Sequence, residues 1–551
     1  MSIGLLLLAC FVPIQPSGSD VVGGLWSPPE EEADVADTDL GPPPDTHPPG
    51  PEEPPAPRVL LNEVMSKNTS AWQVEGALPD WIELYNADAV AVELNDLTVT
   101  DKSGRVWMGG EGTLEPGARL VIFADAGEGP THAPFSLDAD GDELTVAWQG
   151  TASDRLALGA LDADVAWARH PDGGTWAPTI DTTPDAPNGD TPSASLDRSD
   201  TVFQLDTLTH VEIALDADDE ASLRANRLSW VEGGVTIEGI AYPSVGVRLK
   251  AYVGSSRTLD QKCGFKVDLN RYEDREWRGI EGLTLNNMVQ DPSYVNEHLS
   301  YLLYRAVGVP APRVGYARVS VNGEDFGLYL LVESIDDRFL DRWYGDSSGA
   351  LYEGAYGVDL FAGYENSFDY DEGPDSADRS DLTAVIAVLD GASDDAGITA
   401  LEELVDMDEL LTNMAVEALI LHWDGYTTRN NYRLYHDPRT GRFQIIPWGT
   451  DQTFTSLYYY PWSAYGRLFT FCLANEACAA RYDAKLVEVS YVMESLALAD
   501  EADTLHTWLL PEINSDPRRE FGYSTHMGYY AATLNTIAGW PAAVRALVDD
   551  R

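Results

Sequence analysis

Cysteine and basic residues are scarce in this chain of 551 residues. Its four cysteines are too few for a disulfide-rich scaffold. The 35 lysines and arginines stand against 91 aspartates and glutamates, for a formal net charge of −56. A surface this negative repels nucleic acid and anionic lipid headgroups, so neither class of partner is expected. The length predicts two or three domains, because single hydrophobic cores do not grow to this size.

Two of the cysteines lie close together in the segment FCLANEAC. We expect Cys472 and Cys478 to form a disulfide in an oxidising compartment. No histidine accompanies them at the spacing of a zinc site, which argues against a metal knuckle. Cys263 lies in an alternating apolar segment and is predicted to be a small buried residue.

The N-terminal apolar run MSIGLLLLAC is too short to cross a bilayer, and no other segment is long and apolar enough to do so. The run resembles a lipobox, in which small residues before a cysteine allow signal-peptide cleavage and lipidation of the thiol. We therefore predict a lipoprotein signal peptide over residues 1–10, lipidation at Cys10 and an extracytoplasmic bacterial protein held to the membrane by its lipid alone. Because no lysine or arginine precedes the run, plain secretion and an uninformative apolar start remain alternatives.

The next segment has the composition of a linker. Residues 20–57 hold eleven prolines and ten acidic residues, with no lysine or arginine. Such a segment cannot bury enough apolar surface to fold. We predict a disordered tether over residues 11–57.

Short alternating strands separated by turn residues follow from Val59 to about Asn188. They include VLLNEVM, DWIELYN, LNDLTVT, ARLVIFAD and DELTVAW. This spacing predicts an all-β, immunoglobulin-like sandwich over residues 58–192. The strands, the LEPG turn at 114–117 and the closing TPDAPN at 183–188 together resemble a lamin-tail domain, which implies a binding or structural role.

Acidic and amide side chains punctuate the turns of this predicted sandwich. Asp80, Glu83 and Asn86 flank or interrupt one strand, where such side chains commonly bond to backbone N–H groups. We expect them to fix turns. Binding of Ca²⁺ by the acidic turns is the alternative.

The remaining chain, residues 200–548, changes character part-way along. Alternating strands dominate about 200–345, interrupted by one predicted helix from Tyr294 to Val307, whereas helical periodicity dominates about 380–548. A β-rich lobe followed by a helical lobe is the outline of a two-lobed, α+β protein-kinase-like domain.

Five cations lie within nineteen residues of the β-rich lobe, which reverses the local sign of charge in so acidic a chain. They are Arg248, Lys250, Arg257, Lys262 and Lys266. A polyanionic phosphate tail requires such a cluster. We assign Arg248, Arg257, Lys262 and Lys266 to nucleotide binding, with ordinary solvated strand charges as the alternative.

A carboxylate is also needed to orient a phosphate-binding amine. The segments LNN (285–287) and DPSYVNE (291–297) lead into the predicted helix and place Glu297 inside it. We expect Glu297 to pair with Lys262 or Lys266. The alternative is an ordinary residue on the helix surface.

A hairpin signal at Asn322-Gly323 precedes a long apolar strand that ends near Glu333. By the logic of a kinase, the segment from Glu333 to Asp336 connects the two lobes and meets the adenine base.

The helical lobe contains the strongest catalytic signal. An aspartate, Asp424, is followed by Asn430 and Asn431, then by a predicted hairpin and a second aspartate, Asp451. Phosphoryl transfer uses residues in this order. Asp424 is the predicted base, Asn431 (or Asn430) a magnesium ligand and Asp451 the main metal carboxylate. That the two aspartates merely brace loops is the alternative.

Taken together, the segments over roughly residues 203–460 resemble the CotH family of atypical kinases. The resemblance implies transfer of the γ-phosphoryl group of ATP, with Mg²⁺ (or Mn²⁺), to hydroxyl side chains of surface or coat proteins. One position departs from the family pattern, because Gly449 stands where an aspartate is usual. The departure leaves open a degenerate kinase fold that serves, with the lamin-tail domain, as a cell-surface binding or scaffold protein.

Overall fold

The computed structural model describes residues 57–551, apart from 75, 194–197, 251–253, 274, 374–377 and 456–458. The predicted lipobox with Cys10 and the predicted tether therefore lie outside the described residues. Over the described ranges, no helix combines the length and the apolar character that crossing a bilayer requires.

Residues from Val59 onward form the predicted antiparallel sandwich. In chain order its strands are β1 (Val59–Met65), β2 (Trp81–Asn86), β3 (Val92–Glu93), β4 (Leu97–Thr100), β5 (Val106–Met108), β6 (Thr113–Leu114), β7 (Arg119–Phe123), β8 (Glu143–Trp148), β9 (Thr151–Ala157), β10 (Ala166–His170) and β11 (Thr175–Thr179). The larger sheet has the order β11-β10-β1-β2-β7 and the second β5-β4-β8-β9, with β3 and β6 paired separately. Apolar residues that alternate along these strands form one core, which includes the fully buried Ile82 and Trp107.

The polar residues of the sandwich turns bond to backbone groups. Asp80 accepts a 3.0 Å hydrogen bond from the Asn68 N–H, and Glu83 accepts one of 2.8 Å from the Asp185 N–H. Asn86 donates to carbonyls of the loops beside it at 2.8 Å. These side chains hold turns in place, as the sequence predicts.

The β-rich lobe is a closed barrel. Its strands are β12 (Leu208–Ala214), β13 (Val231–Ile237), β14 (Ile240–Lys250), β15 (Gly264–Asp268), β16 (Gly282–Asn286), β17 (Val314–Val321) and β18 (Glu324–Val332). Neighbours run β12-β13-β14-β15-β16-β18-β17, and the parallel pairing of β12 with β17 closes the ring. Closure leaves no edge strand exposed, which sequence periodicity alone does not reveal.

The prediction of a single helix in this lobe is wrong. Besides α2 (Asn296–Ala306), which matches it, the lobe contains α1 (Ala217–Ala225) and, after the barrel, α3 (Asp337–Tyr344). The N-cap of α1 is Asp216, whose carboxylate accepts two backbone N–H groups of the first turn at 2.8 Å. The acidic run in the first turn of α1, Asp218 to Glu220, is therefore part of a capped helix and not of a strand.

The second lobe combines helices with a small sheet. Its elements are β19 (Ala350–Gly354), β20 (Phe368–Glu372), α4 (Ser380–Leu389), α5 (Asp395–Glu402), α6 (Met407–Leu419), β21 (Tyr432–Asp437), β22 (Arg442–Pro447), α7 (Arg467–Leu473), α8 (Glu476–Ser495), α9 (Leu498–Ser515) and α10 (Tyr523–Asp549). The sheet has the order β20-β19-β21-β22. A disulfide joins Cys472 in α7 to Cys478 in α8, with their Cα atoms 5.3 Å apart. An all-β sandwich followed by a mixed α/β domain is thus the fold class that the sequence predicts.

The sandwich packs directly against the barrel. Tyr242 of β14 donates its hydroxyl to the Thr69 carbonyl oxygen at 2.9 Å. Asp164 shapes the turn around Thr69, because its buried carboxylate accepts the N–H groups of Thr69, Ser70 and Ala71 at 2.7, 2.8 and 3.0 Å. A buried charged residue of the sandwich therefore builds the surface that the barrel contacts.

Candidate active site

The outer face of the barrel carries a row of cations. Side chains along a strand point alternately to its two faces. The residues that alternate with these cations lie in the barrel core. Arg248 and Lys250 of β14 therefore lie on the outer face, together with Lys266 of β15, which is the antiparallel partner of Arg248. The Lys250 ammonium lies 5.4 Å from the ring centroid of Trp448, which follows β22. This face of the barrel therefore meets the second lobe.

Glu297 lies buried in α2 and accepts a 2.7 Å hydrogen bond from the side-chain amide of Asn286. Burial raises the pKa of this carboxyl to about 7, and the charge of Lys250 is the main influence that opposes the rise. The prediction that Glu297 pairs with Lys262 or Lys266 is therefore wrong, and Lys250 is the lysine that acts on it.

Lys262 and Arg257, both predicted to bind a nucleotide, point to the C-terminal helices instead. The buried Lys262 forms an ion pair with Asp516. Arg257 donates to both carboxylate oxygens of Glu520, at 2.6 and 2.7 Å. Both acids lie in the turn between α9 and α10. The two cations fasten a barrel loop to this turn, so the structure does not bring them to the lobe interface with Lys250.

Glu333 occupies the predicted connection between the lobes, after the end of β18 and before α3. Its carboxylate accepts hydrogen bonds of 2.5 Å from both Arg313 and Arg342. A carboxylate held by two guanidinium groups is not available to an adenine base. The side chain of Glu333 thus has structural partners, and its backbone N–H also donates to the Arg313 carbonyl oxygen at 2.9 Å, so the predicted contact of Glu333 with a nucleotide is not supported.

Asp424 is fixed by the asparagines that follow it. Its carboxylate accepts a 3.0 Å hydrogen bond from Asn430 Nδ2 and one of 3.1 Å from Asn431 Nδ2. Glu417 of α6 shapes the intervening turn by accepting two of its backbone N–H groups at 2.9 Å. Burial raises the pKa of Asp424, whereas the two amides oppose that rise. The result is a carboxylate of fixed orientation in the loop before β21.

Asp451 lies in a short 3₁₀ turn that follows β22. Burial is the main cause that raises its pKa, and the charges of Glu297 and Asp424 raise it further, while Lys250 lowers it. Lys250 therefore acts on both Glu297 of α2 and Asp451 of the 3₁₀ turn, and Asp424 of the loop before β21 acts on Asp451. Residues up to 201 positions apart in sequence meet here.

The chemistry of this donor set fits a divalent cation. The charge of the half-buried Asp424 raises the pKa of the buried Asp451, and a cation between the two carboxylates would relieve that repulsion. Oxygen donors of this type are those that Mg²⁺ and Mn²⁺ prefer. Across the described ranges, however, no three His, Cys, Asp or Glu side chains already stand together as a metal site. Asn431 and solvent or substrate oxygens would have to complete the coordination.

Gly449 has a backbone conformation and surroundings that favour glycine. Its φ is +56°, in the left-handed region, and a Cβ built on it would lie 2.8 Å from Asn431 Cγ. The position at which the sequence departs from the CotH pattern is therefore tightly packed against a predicted metal ligand.

Sequence reasoning missed four contributors to this site. Lys250 was grouped with its neighbours but given no role, although it ends the strand pattern V-R-L-K at 247–250. Trp448 and Arg433 were given no role either, yet the Arg433 guanidinium lies 5.0 Å from the Trp448 ring centroid. Asp291 accepts the Asn296 N–H at 2.9 Å and so orients the start of α2. The alternation along β14 is the signal that could have identified Lys250.

Comparison with known families agrees with this geometry. The profile of the CotH kinase protein family matches residues 251–549, more than half of the chain. This chain belongs to the CotH kinase protein family. The lamin tail domain profile matches residues 52–169, ahead of the CotH domain. Both resemblances that the sequence motifs suggest are thereby confirmed.

Curated relatives of this CotH protein share modest identity with it. Inner spore coat protein H of Bacillus subtilis (strain 168) is 29% identical over 222 residues, which are 37% of this chain and 58% of the relative. Invasin CotH2 of Rhizopus delemar is 24% identical over 280 residues, 44% of this chain and 47% of the relative. Invasin CotH3 of the same fungus is 23% identical over 264 residues, 42% of this chain and 44% of the relative. The chain spans about half the length of the curated relatives it matches.

Proposed function

We propose that this CotH protein is an extracytoplasmic, metal-dependent protein kinase that transfers the γ-phosphoryl group of ATP to hydroxyl side chains of surface or coat proteins. The electrostatic link of Lys250 to Glu297 and Asp451, and of Asp451 to Asp424, at the contact between the lobes carries the proposal. An amine with an orienting carboxylate, a base and a metal-binding carboxylate are the parts that phosphoryl transfer requires.

Each residue has a distinct role in this proposal. Lys250, oriented by Glu297, binds donor phosphate oxygens. Asp451 and Asn431 would hold Mg²⁺ or Mn²⁺, which neutralises phosphate charge when bound. Asp424 accepts the proton of the acceptor hydroxyl while that oxygen attacks the γ-phosphorus and the bond to the leaving ADP oxygen breaks. Its raised pKa suits a group that must take up a proton.

A non-catalytic surface scaffold is the second candidate function, and Gly449 favours it. The glycine removes one carboxylate from the usual CotH pattern, and Asn431 fills the adjacent space. A CotH fold with a weakened metal site would then act with the lamin-tail domain in binding other surface proteins. Such a protein would bind no nucleotide.

The proposed location is the outer face of a bacterial membrane, with a lipid on Cys10 as the anchor. The names of the relatives, a spore coat protein and invasins, support a surface location. Replacement of Cys10 by serine should release the expressed full-length protein from membranes into the soluble extracytoplasmic fraction. Unchanged membrane association of Cys10→Ser would contradict the lipid anchor.

Thermal unfolding of the full chain with and without ATP and Mg²⁺ or Mn²⁺ tests the kinase proposal. A ligand that binds only the native state raises the unfolding midpoint by mass action. We expect a metal-dependent rise in the wild type that Asp451→Asn abolishes, and transfer of labelled phosphate that Asp424→Ala abolishes. No rise at millimolar ATP would favour the scaffold. Transfer that persists in both variants would exclude the site.

A further inference from the structure

Three cations from both lobes converge next to Lys250. Arg248 and Lys266 face each other across β14 and β15, and Arg433 approaches from β21 of the second lobe. Burial lowers the pKa of Lys266 most, and the charges of Arg433 and Arg248 lower it further. These three side chains, which we call the cation cluster, therefore lie close enough to repel one another.

The cation cluster contains buried N–H donors that have no partner among the described residues. Arg433 is 7% exposed and donates from Nε to Asp371 at 3.1 Å and from Nη2 to Glu353 at 2.8 Å. Its Nη1, like Nε of Arg248, is buried without a hydrogen-bond partner. Leaving buried donors unpaired is costly, so such groups commonly mark a place where another molecule supplies the acceptor.

The acids near the cation cluster do not occupy these donors. Glu353 and Asp371 are the two carboxylates that hold Arg433. Glu372 is also close, but burial raises its pKa to about 7 and the nearby acids Asp337 and Asp371 raise it further. Nε of Arg248 and Nη1 of Arg433 therefore have no oxygen acceptor among the described residues, and both atoms lie in the same cluster as Lys266.

The cation cluster is continuous with the proposed catalytic site. Lys250 and Arg433 both lie over the ring of Trp448, at 5.4 and 5.0 Å from its centroid. The aromatic surface that a purine base would use for stacking is thus covered by two cations. A chain of phosphates, in contrast, matches the positive charge of this row.

We propose that Arg248, Lys266 and Arg433 form a phosphate-binding subsite that selects the donor by its phosphate chain rather than by its base. This inference rests on the proposed function, because it assumes that the donor binds between the lobes beside Lys250. Nucleoside triphosphates with different bases, and inorganic tripolyphosphate, then bind with similar affinity. Adenosine, which has no phosphate, does not bind.

Lys266→Met is the variant that separates this role from a structural one. Methionine matches the length of the lysine stem, and removing a half-buried charge that is repelled by its neighbours should leave the midpoint of the ligand-free protein unchanged or higher. Loss of the ammonium should weaken tripolyphosphate binding by about 10- to 100-fold, the effect of one lost hydrogen bond between charged groups. Lys485→Met serves as the matched control, since Lys485 pairs with Asp408 and Glu488 on the outside of α8.

The experiment measures unfolding midpoints of the full chain with ATP, GTP, tripolyphosphate or adenosine, each with Mn²⁺. We expect similar rises for the first three ligands, none for adenosine, and smaller rises in Lys266→Met but not in Lys485→Met. Arg433→Lys, which keeps the charge but removes the Nη1 donor, should reduce the same rises if it folds.

The outcomes separate this inference from the kinase proposal. A rise with ATP but not with GTP or tripolyphosphate shows that the base is recognised, and overturns the subsite while the kinase proposal stands. Equal rises in wild type and Lys266→Met also overturn the subsite. A rise with tripolyphosphate alone supports the subsite and contradicts the use of ATP, and no rise with any phosphate ligand contradicts both.

Discussion

Asn431 fills the space that any side chain at Gly449 would require. A Cβ on Gly449 would come within 2.8–3.0 Å of the Cγ, Oδ1 and Nδ2 atoms of Asn431. Asn431 in turn donates from Nδ2 to the Asp424 carbonyl oxygen at 2.9 Å and to its carboxylate at 3.1 Å. The side-chain amide of Asn431 therefore links Gly449, where the CotH pattern has an aspartate, to the orientation of Asp424, the predicted base.

Replacing Gly449 by alanine should destabilise the protein and disturb Asp424. A non-glycine residue in the left-handed region costs about 1–2 kcal/mol, and displacement of Asn431 adds to this cost. Gly441→Ala is the control, because Gly441 also has a left-handed φ of +67° but nothing lies within 4 Å of its added Cβ. Denaturant unfolding should show a larger loss for position 449. Equal losses at the two positions would mean that Asn431 yields without cost.

Substitution of Lys250 should affect nucleotide binding, whereas substitution of Lys262 should affect stability. Lys250→Met should leave the fold intact but abolish the nucleotide-induced rise in the unfolding midpoint. Lys262→Met leaves Asp516 buried without its partner, which should cost about 3–5 kcal/mol of unfolding free energy. Nucleotide affinity of the folded Lys262→Met protein should be retained. If Lys262→Met loses binding and Lys250→Met does not, the sequence-based assignment was the better one.

A histidine pair between α9 and α10 should make stability fall in acid. Nδ1 of His526 lies 2.8 Å from the Pro292 carbonyl oxygen and so carries a hydrogen, which leaves its Nε2 to accept from His506 Nε2 at 3.0 Å. Burial is the main cause that lowers the pKa of both rings. A lowered pKa in the folded state means that the stabilisation is present above the unfolded value of about 6.5 and is lost as the pH falls below it.

His506→Gln tests this dependence, because glutamine keeps an N–H donor for His526 but does not titrate. Thermal unfolding between pH 7.5 and pH 5 should show a smaller decline in the variant than in the wild type. Buried carboxyls with raised pKa, such as Glu417, stabilise the fold of both proteins as the pH falls. The measurement is therefore the difference in decline between the wild type and His506→Gln. Identical profiles would exclude the pair as a source of acid sensitivity.

The contact between sandwich and barrel should depend on Asp164. Asparagine at this position loses the charge that binds three backbone N–H groups of the turn at 69–71, at a cost of about 2–4 kcal/mol. Urea unfolding and proteolysis near residue 70 should both report the change. Asp138→Asn is the control, since Asp138 forms an exposed ion pair with Lys102 and should tolerate the change. Unaltered stability of Asp164→Asn would show that the turn holds without it.

Several site residues were predictable because local sequence decides them. The order of Asp424, Asn431 and Asp451 is a one-dimensional pattern, and the helix containing Glu297 follows from apolar periodicity. The proximity of Cys472 and Cys478 likewise follows from six residues of separation. Local spacing was a sound guide wherever the partners were near one another in the chain.

The sequence by itself determined the two domain families, the strand-rich character of the first domain, and the residue types that the proposed phosphoryl transfer would use, since periodicity and residue order record these directly. The tertiary structure alone decided which cations meet which acids. Lys250 and Lys262 are twelve positions apart and both basic, yet one faces Glu297 and the other pairs with Asp516, 254 residues away. Closure of the barrel and packing of the lobes fix those pairings, because a side chain's partner depends on the face it occupies and on what that face meets.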